Sequence, residues 1–206
     1  MTAISEVLHQ GLAITKASKA LILLHGRGGT AESILSLADK LCEDDFYIAA
    51  PQATDHVWYP HSFMEKENAN EPYLSLSVKG IKDLIDQTAK HIPKDQIYLV
   101  GFSQGACLAL EVSARFATKY GGIVAFTGGL IGSDINEDKY HGDFERTKVF
   151  ISNGDKDPHI PLIRSKQSKE VMEGMNAFVT LKIYENRPHT ITLDEIKFVK
   201  ENILSS

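Results

Sequence analysis

Short apolar runs alternate along the chain with longer stretches in which apolar residues recur every three or four positions. Runs of the first kind cover residues 20–25, 46–50, 97–100, 122–127, 148–153 and 179–184, and they read as strands. The run at 20–25 is continuously apolar, as befits a strand covered on both faces. Ile34, Leu35, Ala38 and Leu41 share one helical face, and Val78, Ile81, Ile85 and Ala89 share another that ends before Pro93. The helix over 106–114 is apolar nearly all round, which predicts burial against the sheet. Two further helices are expected, one beginning near Pro161, a favourable first-turn residue, and a closing one over 192–204. Strands separated by helices predict an α/β architecture, a mainly parallel sheet with helices on both faces.

Between these elements the pattern thins. Pro51 is expected to stop the second strand, and the first eighteen residues suggest no more than an edge strand near 11–15. Residues 52–72 have no periodicity and are rich in aromatics, Asn and Glu; a loop of that length in a compact domain is usually functional. A Gly- and Asp-containing loop spans 128–146. No repeat, low-complexity tract or linker divides the chain, so a single domain over 1–206 is expected, without a large cap domain.

Composition narrows the function. Net charge is −5 with no basic block, which argues against a nucleic-acid surface or an anionic membrane as partner. No apolar run approaches membrane-spanning length, and residues 1–6 lack the features of a signal peptide, so the expectation is a cytoplasmic protein with no stable membrane insertion. Cys42 and Cys107 lack metal-ligand spacing and are expected to be buried free thiols; no metal is expected.

The most informative residues are Gly101-Phe102-Ser103-Gln104-Gly105, directly after the 97–100 strand and before the apolar helix. Gly-x-Ser-x-Gly between strand and helix makes a turn so sharp that a Cβ at either glycine would clash. The apical serine is left strained, with its hydroxyl free above the sheet edge. That is the nucleophile elbow of an α/β-hydrolase. A serine hydroxyl needs a base, and the base an orienting acid, in chain order Ser, Asp or Glu, His. The strand at 148–153 runs into Gly154-Asp155-Lys156-Asp157-Pro158-His159-Ile160-Pro161, and the one at 179–184 into Glu185-Asn186-Arg187-Pro188-His189. Of eight histidines only His189 occupies the slot before the last helix; His25 is expected to brace the loop after its strand, and His159 stands two residues from the acid. Asp155 and Asp157 compete for the acid. Asp157 lies further towards the sheet's C-terminal edge and is preferred. Oxyanion donors are expected from the backbone N–H of Gln104 and of Arg27, in the His25-Gly26-Arg27-Gly28-Gly29 loop. That loop also meets a relaxed dinucleotide-binding pattern, but its partner strand ends in Ala49-Ala50-Pro51, without the carboxylate such a site needs.

With these motifs the sequence resembles the phospholipase/carboxylesterase family of α/β-hydrolases, which includes acyl-protein thioesterases, lysophospholipases and small bacterial carboxylesterases. The resemblance covers nearly the whole chain and is carried by the Gly-Phe-Ser-Gln-Gly elbow, by residues 154–161 and by Arg187-Pro188-His189. It implies a catalytic triad of Ser103, Asp157 and His189, an oxyanion hole at Arg27 and Gln104, a small-molecule ester substrate and no cofactor. The sequence departs from the thioesterase and lysophospholipase branch at Arg27, where that branch usually has an apolar residue. Residues 58–63 look instead like a bacterial esterase branch. Trp58, Tyr59 and Phe63 are read either as pocket lining or as a cluster pinning the long loop. Leu130 and Ile131 are read as acyl-pocket wall or as a contact with a second subunit in a homodimer. The expected activity is carboxylic-ester hydrolysis on small or medium acyl or aryl esters, with thioesters and lysophospholipids in range. An acyltransferase or perhydrolase, or a non-catalytic ligand-binding module on the same fold, is the alternative.

Overall fold

Alternation along the second strand sets the layers. In the computed structural model, which describes residues 2–42 and 44–204, β2 (Lys19–Leu24) directs Leu21 and Leu23 to one side of the sheet and Ala20, Ile22 and Leu24 to the other. Each set lies at the centre of its own apolar cluster. On one side α1 (Ala31–Leu41) contributes Ile34, Leu37 and Leu41, and α5 (Leu193–Val199) contributes Ile196 and Val199. On the other, α2 (Tyr73–Thr88), α3 (Gln104–Arg115) and α4 (Leu162–Gly174) pack through residues such as Ile81, Leu108 and Met172. Helices therefore cover both faces, as the periodicity predicted.

The remaining strands are β1 (Ile4–Gly11), β3 (Phe46–Ala53), β4 (Ile97–Phe102), β5 (Gly122–Phe126), β6 (Lys148–Gly154) and β7 (Phe178–Tyr184). They form one sheet in the order β1-β3-β2-β4-β5-β6-β7, parallel throughout except for β1. Among the described residues no cap domain stands over the strands' C-terminal edge, where β2, β4, β5, β6 and β7 deliver the loops that follow them. All of residues 104–114 on α3 are buried, so this helix is the central pillar beneath that edge. Burying each of its Leu and Val side chains contributes about 1.5–3 kcal/mol.

Two local expectations need correction, and two others gain detail. The edge strand is Ile4–Gly11 rather than 11–15; none of its residues is fully buried and only Ile4, Val7 and Leu8 are partly covered, so its apolar signal is weak, and it ends where Gly11 turns with φ +75°. Pro51 does not stop β3. The parallel ladder to β2 has ended at Ala49, and Pro51 pairs only with Val7 of β1, a one-sided position that tolerates a missing N–H. Pro161 is the N-cap of α4, one residue before its first turn. The closing helix is α5 followed by a π-helical turn over Lys200–Leu204. Its start is fixed by a capping box in which Thr192 and Glu195 satisfy each other's backbone N–H.

Candidate active site

The turn from β4 to α3 is as tight as its glycines imply. A Cβ on Gly101 would overlap the carbonyl of Gly105, and one on Gly105 would overlap the carbonyl of Leu24. Ser103 sits at the apex with φ 56° and ψ −118°, a conformation that an L-residue holds only when its surroundings over-determine it. Here its N–H donates to Phe126 O on β5 at 3.0 Å, while its carbonyl accepts from Cys107 N at 3.0 Å in the first turn of α3. The hydroxyl is left to face outward.

Three side chains distant in sequence meet at this point. His189 Nε2 lies 2.8 Å from Ser103 Oγ, and His189 Nδ1 lies 2.7 Å from Asp157 Oδ2. The carboxylate of Asp157 is fully buried. Its Oδ1 accepts from the backbone N–H groups of His159 at 2.8 Å and Ile160 at 3.2 Å. An acceptor-only carboxylate at Nδ1 places the imidazole proton there and leaves Nε2 to accept from the serine hydroxyl. Asp155 is exposed and its N–H is tied to Tyr184 O at 3.1 Å, so of the two rivals only Asp157 reaches the ring. The ring also packs against Phe102, 5.1 Å away centroid to centroid and tilted, and against His159, 4.9 Å away and nearly perpendicular.

Close backbone approach brings the two loops together: a Cβ on Gly154, at the end of β6, would overlap Arg187 O. Arg187 fixes the loop that carries His189. Its buried guanidinium donates from NH1 to both oxygens of buried Glu195, at 2.8 and 2.9 Å, and to Thr190 O. Glu195 thus serves two ends at once, capping α5 and pairing with Arg187. The sequence marked Arg187 as part of a motif, whereas Glu195 was not singled out.

Beside Ser103, the backbone N–H groups of Arg27 and Gln104 have no hydrogen-bond partner among the described residues. Gly26 touches Ser103, its Cα being so close that an added Cβ would stand 3.3 Å from the serine Cβ. His25 is buried below this loop. Its Nε2 accepts from Ala53 N at 3.1 Å and its Nδ1 donates to Gly26 O at 2.8 Å, so it braces the loop as a neutral ring. Burial holds its pKa below the usual 6.5. His56 adds a second tie: its carbonyl accepts from Gly28 N at 2.8 Å.

The Ser103 hydroxyl opens into a cleft of about 500 Å³. Tyr59 and Phe63 line it, together with His61, His159 and Ile160. Trp58, Leu130 and Ile131 do not, contrary to the pocket reading of the sequence. Trp58 is turned inward, its indole N–H donating to His25 O at 2.8 Å and its ring 5.0 Å from that imidazole. Leu130 and Ile131 have no exposed surface, which removes them both from the cleft wall and from a subunit contact. Buried Arg164 pulls their segment inward by donating to the carbonyls of Leu130, Gly132 and Ser133.

The sequence also missed how the 52–72 segment is held. The Arg27 guanidinium donates to the carbonyls of Tyr59, Pro60 and His61 at 2.9, 2.8 and 2.6 Å. The Gln104 amide donates to Tyr59 O at 2.8 Å and accepts from Trp58 N at 3.0 Å. Asn70 and Ser77 bind further backbone groups from 58 to 62. Two residues expected only to lend backbone N–H groups therefore also bolt the cleft wall to the elbow. Cys42 and Cys107 are free thiols; Cys107 lies in the cleft floor, where burial raises its pKa to about 12 and keeps it an inert thiol. Among the described residues no group of His, Cys, Asp and Glu could hold a metal ion, and no helix is long and apolar enough to cross a membrane.

A mostly parallel sheet with a strained serine between strand and helix, joined to histidine and aspartate from later loops, defines an α/β-hydrolase. The phospholipase/carboxylesterase family profile matches residues 11–205. The chain belongs to that hydrolase family. It is 47% identical to the phospholipase/carboxylesterase from Dyadobacter fermentans, whose crystal structure it matches with a TM-score of 0.96 over 99% of this chain and 98% of that one. Acyl-protein thioesterase 1 of Saccharomyces cerevisiae is 30% identical over 93% of this chain and 96% of its own length. The Bacillus cereus carboxylesterase, 24% identical with a TM-score of 0.74 over 95% of this chain and 92% of that one, shares the fold.

Proposed function

We propose that the protein is a serine esterase that cleaves carboxylic esters or thioesters through an acyl-enzyme. The observation that carries this reading is the unbroken line Asp157–His189–Ser103, with bonds of 2.7 and 2.8 Å, ending at a hydroxyl in an open cleft. Ser103 Oγ attacks the acyl carbonyl while His189 Nε2 takes its proton. Asp157 keeps the imidazole in the required tautomer and stabilises its positive charge. The developing oxyanion is received by the N–H groups of Arg27 and Gln104, which have no other partner among the described residues and are held by the Gly-rich loop and the helix start. Protonated His189 then gives its proton to the leaving oxygen or sulfur. A water deprotonated by the same ring releases the acid, and no cofactor takes part.

A cleft of about 500 Å³ suits a small or medium ester, and the aromatic rings of Tyr59 and Phe63 offer apolar contact to acyl or aryl groups. Hydrolysis of 4-nitrophenyl acetate, butyrate and octanoate by the unaltered protein and by Ser103→Ala tests the reading. Turnover by the first and none by the second is expected. Equal rates for the two would overturn it, and so would transfer to alcohol or peroxide in preference to water.

A further inference from the structure

The cleft carries positive charge and no free negative charge. Among the described residues no carboxylate lines it; Asp157, behind His189, has a fully buried side chain whose two oxygens are occupied by His189, His159 N and Ile160 N. Arg27 lines the cleft and is exposed, and all its hydrogen bonds go to the neutral carbonyls of Tyr59, Pro60 and His61. It has no ion pair among the described residues, although it also lines an adjoining cavity together with Asp55. Arg164 repeats the arrangement beneath the opposite end of the wall. It is buried, it hydrogen-bonds to three carbonyls and the Gln167 amide, and it has no carboxylate partner.

The two cations bracket the wall that the substrate meets. Arg27 stands 5.9 Å from the Tyr59 ring and Arg164 6.0 Å from the Phe63 ring, and both rings line the cleft. A guanidinium stays charged at any ordinary pH. Bonding to carbonyls fixes its place without cancelling its charge. In a protein of net charge −5 the Arg27 guanidinium thus stands at the Ser103 cleft with no hydrogen-bonded carboxylate, whereas Arg164, outside the lining, has Asp134 and Glu111 within electrostatic reach. Low-dielectric walls focus such a field on the cleft.

Resting on the esterase reading, we infer that the preferred substrates are small esters bearing a carboxylate, with Arg27 as the specificity-determining residue that receives it. Three of the five guanidinium N–H groups are enough for the three carbonyls, which leaves donors for an anion. His61 and His159 add polar ring nitrogens along the same wall and no negative charge.

The test compares esters matched except for charge: mono-4-nitrophenyl glutarate against 4-nitrophenyl pentanoate, with the anion on the acyl side, and 4-acetoxybenzoate against phenyl acetate, with the anion on the leaving side. For at least one pair the anionic ester is expected to have a kcat/KM about 10-fold higher at low salt. The preference should shrink as ionic strength rises from about 10 mM to about 0.5 M. Arg27→Met should bring the ratio close to one whatever it does to absolute rates, and Arg27→Lys should retain part of it. The salt titration uses the unaltered protein and decides the matter where Arg27→Met does not fold. Ratios at or below one in both pairs, or a preference indifferent to salt, overturn this inference and leave the esterase reading standing. Hydrolysis of no ester at all overturns both.

Discussion

Asp157 and His189 lie 32 residues apart, yet Oδ2 of the first is 2.7 Å from Nδ1 of the second. Asp155, two residues earlier, faces outward. The carboxylate of Asp157 is oriented by two backbone N–H groups before it meets the ring, so its geometry is built into the turn that leads to α4. Replacing Asp157 by Asn keeps the shape but offers an amide to a nitrogen that must stay protonated. Asp157→Asn should lower kcat by about 10³–10⁴-fold with little change in KM. Asp155→Asn should stay within about 3-fold of the parent, since it touches none of the reacting groups. Steady-state kinetics on both variants checks the assignment.

The Arg187–Glu195 pair predicts a loss of stability. Both side chains are buried, and the carboxylate also receives the N–H and hydroxyl of Thr192. Removing one charge strands the other in a low-dielectric site, at a cost of about 3–5 kcal/mol. Glu195→Gln should show a loss of that order in urea unfolding, and its kcat should fall because the loop bearing His189 loses its anchor. Replacing both residues together by apolar ones of similar volume should recover much of the stability.

His25 makes stability depend on pH. Its folded pKa is depressed below 6.5, so between the two values the unfolded chain binds a proton that the folded one refuses. The His25 contribution is complete above about pH 6.5 and is lost as pH falls from there towards the folded value. The structural cause is plain, since protonated Nε2 could not accept from Ala53 N. His25→Asn should be less stable at neutral pH but lose less on acidification to about pH 5. Urea titrations at several pH values would measure both slopes.

Much of this was legible in the sequence because local chemistry forces it. Gly101 and Gly105 admit no Cβ, and their spacing around Ser103 announces the elbow wherever a strand precedes it. The 3.6-residue periodicity of α1 and α2 and the apolar run of β2 follow directly from burial. What the sequence hid depends on long-range partners. β1 is only partly covered and reads as noise, while Pro51 could enter β3 only because of which neighbour ends where. Leu130 and Ile131 were misplaced because apolar residues after a strand look alike whether they line a cleft or lie beneath it. The decision rests with Arg164, more than thirty positions away. The anchoring of residues 59–61 by Arg27 and Gln104 is likewise a matter of side-chain reach, which no spacing encodes.

The most direct measurement is intact-mass spectrometry of the protein after treatment with a fluorophosphonate, run in parallel on Ser103→Ala. The account predicts one stoichiometric phosphonyl adduct on the unaltered protein, mapped to Ser103 by peptide sequencing, and none on the variant, with unchanged circular dichroism for both. An adduct that persists on the folded variant, or one that maps elsewhere in the unaltered chain, would contradict it.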